Sequence, residues 1–351
     1  MIVNTFKIYI IKTIKNFCIW YITRYGFIVL EKKYTYPWQR LILSKASYNK
    51  NSILPNKALE YLVYDNPRLK ILKKKYFKFI KELNLVSETL LWKDGYLIKE
   101  DLLYFRGDNP YVWQKRGVNS NLLSYALTYY WILKIDKKNL LNKCIEDDSF
   151  GIYSFKIDNR LISRDLLDSI NEIIFLNQYV FDKEEKINIL DIGAGYGRLA
   201  HRATDLVSQI NKYYCTDAVP ESTFLSEYYI GHRKIEDKVE IIPFDEFENN
   251  IDSLNIDLMI NIHSFSEMEY KFIEYWISLI SSNKIKYLFL VPNTKDNYGK
   301  KLISFDGYDF QNLIEESGYD LIINEPKYCE PIVQKYGISP THYYLFKNKI
   351  Q

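Results

Sequence analysis

Residues 187–200 read INILDIGAGYGRLA, and this stretch decides how the chain folds. The apolar run 187–190 is typical of a buried strand, and the acidic Asp191 follows it. Three glycines then occupy alternate positions between 193 and 197. Because glycine has no Cβ, such a loop can take conformations that other residues avoid and can approach a ligand closely. We expect a strand that turns sharply into a helix beside a small-molecule site.

The spacing of the glycines distinguishes between ligands. Dinucleotide-binding loops have the pattern G-x-G-x-x-G, whereas this loop has G-x-G-x-G and places Arg198 where a third glycine would stand. The sequence contains no G-x-x-x-x-G-K-[ST] phosphate-binding motif. The loop therefore favours S-adenosylmethionine as the ligand. The residues expected to bind its methionine end are Gly193, Ala194, Gly195, Tyr196 and Gly197.

Two later strand-like runs lead to carboxylates that suit an adenosine group. The run 213–216 ends at Asp217, about 20 residues after the glycine loop, and a carboxylate at this distance can accept both ribose hydroxyls. The run 239–242 leads to Asp245, which can lie beside the adenine amino group. We expect Asp217, the adjacent Ala218 and Asp245 to bind the cofactor. The alternative interpretation is a glycine turn followed by ordinary exposed acidic residues.

The part of the chain before the linker at 182–186 is predicted to be mainly helical. The Asn-Pro pair at 66–67 is typical of a helix start, and apolar residues then recur on one helical face over 69–83 while lysines fill the other. No sustained alternation of apolar and polar residues indicates a strand there. Further helices are predicted at 119–133 and 163–178.

After the linker the pattern changes to short apolar strands that alternate with amphipathic helices, which is typical of a parallel α/β sheet. Prolines interrupt the connection between the last two strands, which leaves no room for a full crossover helix, so we expect these strands to pair antiparallel. Seven such strands match the Rossmann-like sheet of class I methyltransferases. We expect a helical region at 1–182 and a methyltransferase domain at 183–351. The predicted strands are 187–192, 212–216, 239–242, 257–262, 286–291, 319–324 and 342–347.

The composition is that of an ordinary globular protein, with 47% hydrophobic and 26% charged residues. A length of 351 residues suits two structural units, one of which can bury a large sheet core. Four widely separated cysteines form no C-x-x-C pair, which indicates a reducing compartment and opposes a disulfide framework or a zinc site. We therefore expect a cytoplasmic protein.

Basic residues are concentrated in the first 100 positions, which carry 19 Lys and Arg against 7 Asp and Glu, whereas the whole chain has 47 and 44. Such a region can meet lipid headgroups, a nucleotide-linked sugar or a nucleic acid, or it can be a solvated helix face. Basic residues also interrupt the apolar first 30 positions, so no transmembrane helix or signal peptide is predicted. Peripheral membrane contact through this first helix is a hypothesis.

The fourth predicted strand runs into His263, which we take as a candidate catalytic base. Ligands of open α/β sheets bind outside the carboxyl ends of the strands, and an imidazole with a pKa near ~6.5 can take a proton from an attacking hydroxyl. The alternative is a hydrogen-bonded core histidine. Glu267 can orient His263 or hold the acceptor. Asn293, after the fifth strand, is a candidate acceptor-binding residue and equally a loop cap.

Three segments, 190–202, 215–225 and 261–267, together resemble a family of sugar O-methyltransferases. The similarity spans roughly residues 105–347. It implies S-adenosylmethionine as the methyl donor and a sugar or glycan acceptor, in the biosynthesis of a glycan, a surface polysaccharide or a glycosylated metabolite. Two flanking segments share the resemblance, 163–172 and 291–293.

The resemblance also implies roles for individual residues. Asp191, two positions before the first glycine, can orient the loop amides or the ammonium group of the cofactor. Asp168 and Ser169 would lie on a helix that closes over the cofactor or the acceptor. Asn261 is expected at the cofactor and Ser264 at the acceptor.

A metal ion is not expected in the site. Some related sugar methyltransferases hold a divalent cation with acidic residues at the ends of the fourth and fifth strands, where this chain has His263 and Asn293. Hard cations prefer several carboxylate oxygens, so we predict a reaction without metal.

Other functions compete with this interpretation. The basic front end is compatible with a methyltransferase or binding module for nucleic acid. However, the sequence has no N-P-P-[YFW] motif, and its basic residues alternate with core residues, so no nucleic-acid partner is expected. The remaining alternatives are a methyltransferase for another small molecule and a catalytically silent cofactor-binding partner.

Overall fold

A seven-stranded mixed sheet forms the centre of the molecule in the computed structural model, which describes residues 52–83, 99–107, 122–293 and 299–350. A two-stranded hairpin precedes this sheet along the chain. The strands are β1 (Ser154–Ile157), β2 (Arg160–Ser163), β3 (Ile187–Ile192), β4 (Ile210–Thr216), β5 (Val239–Ile241), β6 (Leu258–Ile262), β7 (Tyr287–Val291), β8 (Tyr319–Pro326) and β9 (His342–Asn348).

The order of the strands in the sheet is β5-β4-β3-β6-β7-β9-β8. The first five strands in this order are parallel, and β9 lies antiparallel between β7 and β8. Each strand covers the predicted run to within about two residues. The predicted fold class, an α/β class I methyltransferase sheet with an antiparallel last pair, is therefore confirmed.

Helices pack around the sheet and before it along the chain. The described helices are α1 (Asn56–Tyr61), α2 (Pro67–Glu82), α3 (Lys99–Leu103), α4 (Leu122–Ile135), α5 (Leu140–Lys143), α6 (Arg164–Tyr179), α7 (Arg198–Leu206), α8 (Pro220–Arg233), α9 (Phe244–Asn250), α10 (Tyr270–Ser282), α11 (Gln311–Glu316) and α12 (Pro331–Tyr336). The predicted start of α4 at residue 119 lies outside the described residues, as does the basic first helix.

Two predicted helix starts are confirmed in detail. The Asn66 side chain accepts the Arg68 amide proton at 2.8 Å and caps α2, with proline as its first residue. Ser163 accepts the Leu166 amide proton at 3.0 Å and caps α6. Twelve side chains of α6 are buried, so this helix belongs to the interior of the molecule.

The hairpin of β1 and β2 contradicts the expectation that no strand precedes the sheet. Its two-residue turn is Asp158-Asn159, and both residues have positive φ, 47° and 62°. Asp and Asn tolerate this left-handed backbone better than most residues, and the type I′ turn of a tight hairpin requires it. The strands contain four residues each, too few to show a clear alternation.

One hydrophobic core joins both parts of the chain. It extends from Ala58 on α1 to Phe346 on β9 and includes residues of α2, α4 and α6. The boundary at residue 182 therefore remains a prediction about sequence organisation. Among the helices that the structure describes, none is long and apolar enough to cross a membrane.

Candidate functional site

The glycine loop between β3 and α7 has the predicted left-handed backbone. The φ angles of Gly193, Gly195 and Gly197 are 76°, 59° and 86°. A Cβ atom on Gly193 would lie 2.3 Å from Ser264 Oγ, so this glycine lets the loop pack under the turn that follows β6. A Cβ atom on Gly195 would meet no atom of the described residues within 4 Å. Gly195 therefore faces open space at the carboxyl edge of the sheet.

Asp217 lies beside this open position, as the sequence predicts. Its Oδ2 accepts the Gly195 amide proton at 2.9 Å, and its Oδ1 accepts the Val219 amide proton at 2.8 Å. Burial raises the pKa of Asp217 to about 7, although both amide contacts act in the opposite direction. Ala218, the next residue along the chain, is partly buried.

Asp191 has a different contact from the one expected. Its carboxylate is buried and accepts the Tyr213 hydroxyl proton at 2.8 Å, across the pair of β3 and β4. The Gly193 and Ala194 amides instead donate to the Thr216 carbonyl, at 2.9 and 3.3 Å. Burial raises the pKa of Asp191 to about 7. Asp191 thus contributes to the site indirectly, because it links β3 to β4 just before the glycine loop.

Tyr196 is the loop residue whose placement the sequence does not indicate. Its side chain is only 2% exposed, and its hydroxyl donates to Asp165 on α6. Its ring packs against Phe105 and Tyr229, with centroids 5.0 and 5.1 Å away. Only the backbone of Tyr196 is available for the predicted cofactor contact, because the side chain is used in the interior.

Asp245 lies in the first turn of α9, the helix that follows β5. Its Oδ2 lies 3.5 Å from Lys75 Nζ on α2, whereas its Oδ1 is buried and has no hydrogen-bond partner in the described part of the chain. A buried acceptor without a partner is rare and suits a donor such as the adenine amino group. Tyr76, the next residue of α2, bonds Thr223 Oγ1 and accepts the Phe244 amide proton, both at 2.8 Å.

The end of β6 is held by Asn261. Its amide nitrogen donates to the Ile192 carbonyl at 2.8 Å, and its carbonyl accepts the Phe265 amide proton at 2.9 Å. Asn261 therefore joins the end of β3 to the 3₁₀ turn Ser264–Glu267. These contacts fix the shape of the crevice, whereas direct binding of the cofactor by Asn261 remains a prediction.

His263 lies in the turn after β6 with a positive φ of 68°, which is unusual for a residue with a side chain. Its amide donates to the Val291 carbonyl at 2.7 Å. Its Nδ1 is buried without a hydrogen-bond partner among the described residues. Burial, followed by the charges of Arg164 and Lys327, lowers the pKa of His263 to about 3. The imidazole is therefore neutral at physiological pH.

Glu267 and Asn293 meet at the ends of β6 and β7. Glu267 Oε1 accepts a proton from the Asn293 side-chain amide at 3.1 Å, and Ser266 Oγ accepts the Asn293 backbone amide proton at 3.1 Å. Both residues are partly exposed. With Ser264 they place polar groups on one side of the opening.

The α6 residues implied by the resemblance are largely occupied inside the protein. Asp168 pairs with Arg164 Nε at 3.0 Å and with Lys327 Nζ at 2.5 Å. Burial alone would raise the pKa of Asp168, but these two cations hold it well below its usual value. Ser169 is fully buried between the Asp165 carbonyl and Arg198, at 2.7 Å from each, which leaves it inaccessible to an acceptor.

Several residues that shape the site carry no recognisable sequence signal. Lys327 lies just after β8, and Arg198, the first residue of α7, pairs with Glu172 on α6 at 2.9 Å. Arg198 stood out only as the residue in the place of a third glycine. Within the described ranges, no group of three or more His, Cys, Asp or Glu side chains is arranged to hold a metal ion, and a reaction without metal remains a prediction.

Comparison with known proteins gives structural similarity only. No protein-family model matches the sequence, and no curated protein matches it. Magnesium protoporphyrin IX methyltransferase from Synechocystis PCC 6803, solved with bound SAM, is similar over 63% of this chain and 96% of its own, with 11% identity and a TM-score of 0.38. TrmK from M. capricolum, solved with S-adenosyl-homocysteine, is similar over 50% of this chain and 67% of its own, with 16% identity and a TM-score of 0.33. The fold assignment rests on the strand order described above.

Proposed function

We propose that this protein transfers a methyl group from S-adenosylmethionine to a hydroxyl group of a sugar or glycan. The observation that supports S-adenosylmethionine as the methyl donor is the hydrogen bond from the Gly195 amide to Asp217. It places a carboxylate and a glycine facing open space at the carboxyl edge of a class I methyltransferase sheet. This is the place where such sheets bind ligands.

The residues present fit this cofactor in both shape and charge. Asp217 would accept the ribose hydroxyls, Asp245 Oδ1 would accept from the adenine amino group, and the loop 193–197 would hold the methionine end. Two buried carboxylates, Asp191 and Asp217, have pKa values of about 7, so a cationic ligand would stabilise their charged forms. When bound, S-adenosylmethionine supplies an electrophilic methyl group on a positively charged sulfur.

His263 is proposed to hold the acceptor hydroxyl. Its unpartnered Nδ1 can accept the hydroxyl proton as the oxygen forms its new bond. A group with a pKa of about 3 is a weak base, so most of the rate enhancement is assigned to orientation of the reacting atoms, which can contribute ~7 to 11 kcal/mol. Glu267, Ser264 and Asn293 are proposed to bind neighbouring hydroxyls of the acceptor.

A sugar acceptor is favoured by the sequence resemblance and by this polar rim. The basic face of α2 belongs to the basic first 100 residues that motivated a nucleic-acid partner, and part of it is occupied by ion pairs with α8 and α9. Arg68 pairs with Glu227, Lys73 with Glu221 and Lys75 with Glu246, at 2.5, 2.7 and 2.8 Å. Peripheral membrane contact through residues 1–30 remains a separate proposal.

Calorimetric titration tests the donor site. The protein should bind S-adenosylmethionine and S-adenosylhomocysteine but not NAD, and Asp217→Ala should weaken both affinities. The matched control is Asp320→Ala, which removes an exposed carboxylate on β8. Binding of NAD in preference to both sulfur compounds would disprove the donor assignment.

Mass spectrometry tests the acceptor class. Nucleotide sugars, lipid-linked oligosaccharides and a structured RNA are incubated with the protein and S-adenosylmethionine. A gain of one methyl group on a sugar acceptor is expected. Methylation of the RNA alone would replace the sugar proposal with the nucleic-acid alternative.

A further inference from the structure

Tyr196 stands between two glycines of the loop, yet three elements outside the loop hold its side chain. Its hydroxyl donates to Asp165 in the first turn of α6. Its ring meets Tyr229 of α8 edge to face, with an angle of 89° between the planes, and also contacts Phe105. A loop with glycine on both sides of Tyr196 has few intrinsic restraints, so these side-chain contacts add support to the backbone hydrogen bonds of the loop.

Asp165, the acceptor of this hydrogen bond, is fully buried and lies close to a buried arginine. Asp165 has no exposed surface, and the Nε of the equally buried Arg106 lies 3.9 Å from its Oδ2. Burial and the charge of Asp165 raise the pKa of Tyr196, so its hydroxyl stays protonated and donates. A buried carboxylate is costly unless it is paired and hydrogen-bonded, and Tyr196 meets part of this requirement.

Arg106 extends the support to both helices that follow the cofactor loops. It pairs with Glu146 and, at 2.5 Å, with Asp147. Arg202 of α7 bonds Glu146 at 3.0 Å, and Arg233 of α8 bonds Asp147 at 2.5 Å. The helix after β3 and the helix after β4 are thereby fixed to one buried guanidinium from the region before the sheet.

We propose that the hydrogen bond from Tyr196 to Asp165, here named the loop anchor, holds the glycine loop in its ligand-binding conformation. The consequence for binding rests on the proposed function: Tyr196 and Asp165 would be positioning residues for S-adenosylmethionine that do not touch it through their side chains. A loop ordered before binding loses less conformational entropy on binding, and this raises affinity.

Hydrogen exchange of the ligand-free protein tests the anchor directly. Tyr196→Phe keeps the ring and removes the hydroxyl, and we expect the amides of residues 194–198 to exchange about tenfold faster, because hydrogen bonds to charged groups contribute roughly this factor or more. The matched control is Tyr319→Phe, which removes a buried hydroxyl bonded to the Ile285 carbonyl at 2.9 Å, in β8. This control should leave exchange in the loop unchanged.

Binding of S-adenosylhomocysteine provides the second readout. Tyr196→Phe should raise the dissociation constant about tenfold, whereas Tyr319→Phe should not change it. A folded Tyr196→Phe protein with wild-type exchange in the loop would overturn the proposal. If the wild-type protein does not bind S-adenosylhomocysteine, the proposed donor site is wrong, and the exchange experiment still decides whether the anchor exists.

A second pair of variants tests the same bond from the other side. Asp165→Asn keeps an acceptor for the Tyr196 hydroxyl, whereas Asp165→Leu removes it and replaces the buried charge with an apolar side chain of similar size. We expect slow loop exchange in the first and fast exchange in the second. Equal exchange rates in the two folded variants would overturn the proposal even if Tyr196→Phe does not fold.

Discussion

The Asp217 carboxylate accepts two amide protons, yet burial raises its pKa to about 7, so ligand-free protein contains both charge forms near neutral pH. Its pKa in the folded state lies above the value near ~3.9 of an unfolded chain. The stability that this group contributes is therefore fully present below about pH 4 and is lost as the pH rises towards 7. A ligand that requires the charged carboxylate must release this proton when it binds.

We predict that S-adenosylhomocysteine binds more weakly as the pH falls below about 7, by up to about tenfold per pH unit, and that affinity levels off above this pH. Calorimetric titration between about pH 5.5 and 8.5 measures the effect. Asp217→Asn should bind more weakly at high pH and lose most of this dependence. Asp320→Asn, which removes an exposed carboxylate on β8, should retain it. Equal affinity at both ends of the range would contradict the assignment of Asp217.

His263 combines an unpartnered nitrogen with a strained backbone, which is a frequent property of functional residues. We predict that His263→Ala lowers kcat about 10- to 100-fold and leaves the affinity for S-adenosylhomocysteine within about twofold, because general bases contribute at least this much. Because the pKa of His263 is about 3, its titration should not affect kcat near pH 6.5. The pH profiles of kcat for the wild-type protein and for His263→Ala should therefore have the same shape in this range.

The control for His263 is His263→Gly. Both variants lose the imidazole, but glycine adopts the positive φ without the penalty of about 1 to 2 kcal/mol that a Cβ carries there. The glycine variant should therefore unfold at a higher denaturant concentration than the alanine variant while its turnover stays equally low. Turnover equal to wild type in either variant would remove His263 from the reaction.

At the scale of single residues, sequence reasoning was most successful where the backbone itself carries the signal. The loop that carries the three glycines follows β3 directly and Asp217 follows β4 directly, so the position of these strands places them. It was least successful for Ser169 and Tyr196. Their partners lie on elements distant in the sequence, and no local pattern reports which side of a helix or loop will be covered.

At the scale of elements, the central strands β3, β6 and β7 were predictable because they are largely apolar runs buried on both faces of the parallel part of the sheet. The antiparallel position of β9 followed from its connection to β8, which holds only the short α12. The hairpin of β1 and β2 was missed because its strands are short, although the Asp-Asn turn is a usable signal.

The lysine-rich helix α2 gained a role that its amphipathic pattern does not show. Its apolar face was predictable, but its ion pairs with α8 and α9 depend on where those helices lie. Exposed pairs of this kind contribute little individually, about 0 to 1 kcal/mol each. The buried hydroxyl of Tyr76 is the stronger contact, since it serves both Thr223 and the Phe244 amide.

We predict that Tyr76→Phe lowers the free energy of unfolding by about 1 to 3 kcal/mol, because the Phe244 amide is left without its acceptor. It should also weaken S-adenosylhomocysteine binding, since α9 carries Asp245. Urea denaturation and calorimetric titration measure the two effects. Tyr287→Phe, which removes a hydroxyl bonded to Glu184 at the amino end of β7, should affect stability only. Unchanged S-adenosylhomocysteine binding in Tyr76→Phe would show that the Tyr76 hydroxyl of α2 does not support the proposed adenine site.

At the scale of the whole molecule, the helical region and the sheet share one hydrophobic core. The buried face of α6 and the ion pairs of Arg202 with Glu146 and of Arg233 with Asp147 all cross the boundary predicted at residue 182. A charged linker in the sequence is therefore compatible with a single cooperative unit, because packing across the linker is invisible to composition.

We predict that residues 183–351 produced alone do not fold cooperatively, since the sheet then exposes the surface that α6 covers. Circular dichroism and urea denaturation of this fragment and of the full chain measure the difference. The full chain should unfold in one transition by both near- and far-UV signals. A fragment that unfolds cooperatively and binds S-adenosylhomocysteine would instead establish an independent domain.

The sequence by itself determined the succession of strands and helices after the linker, the glycine loop, the acidic residues that come after β4 and β5, and the class of sheet. These features depend on residues close together in the chain, whose hydrophobic period and backbone preferences are local properties. Only the tertiary structure decided that Tyr196 points to Asp165, that Arg106 fixes α7 and α8, and that α2 closes on Asp245. Such contacts join residues that are far apart in sequence, and burial and charge pairing select them only when the whole chain is packed.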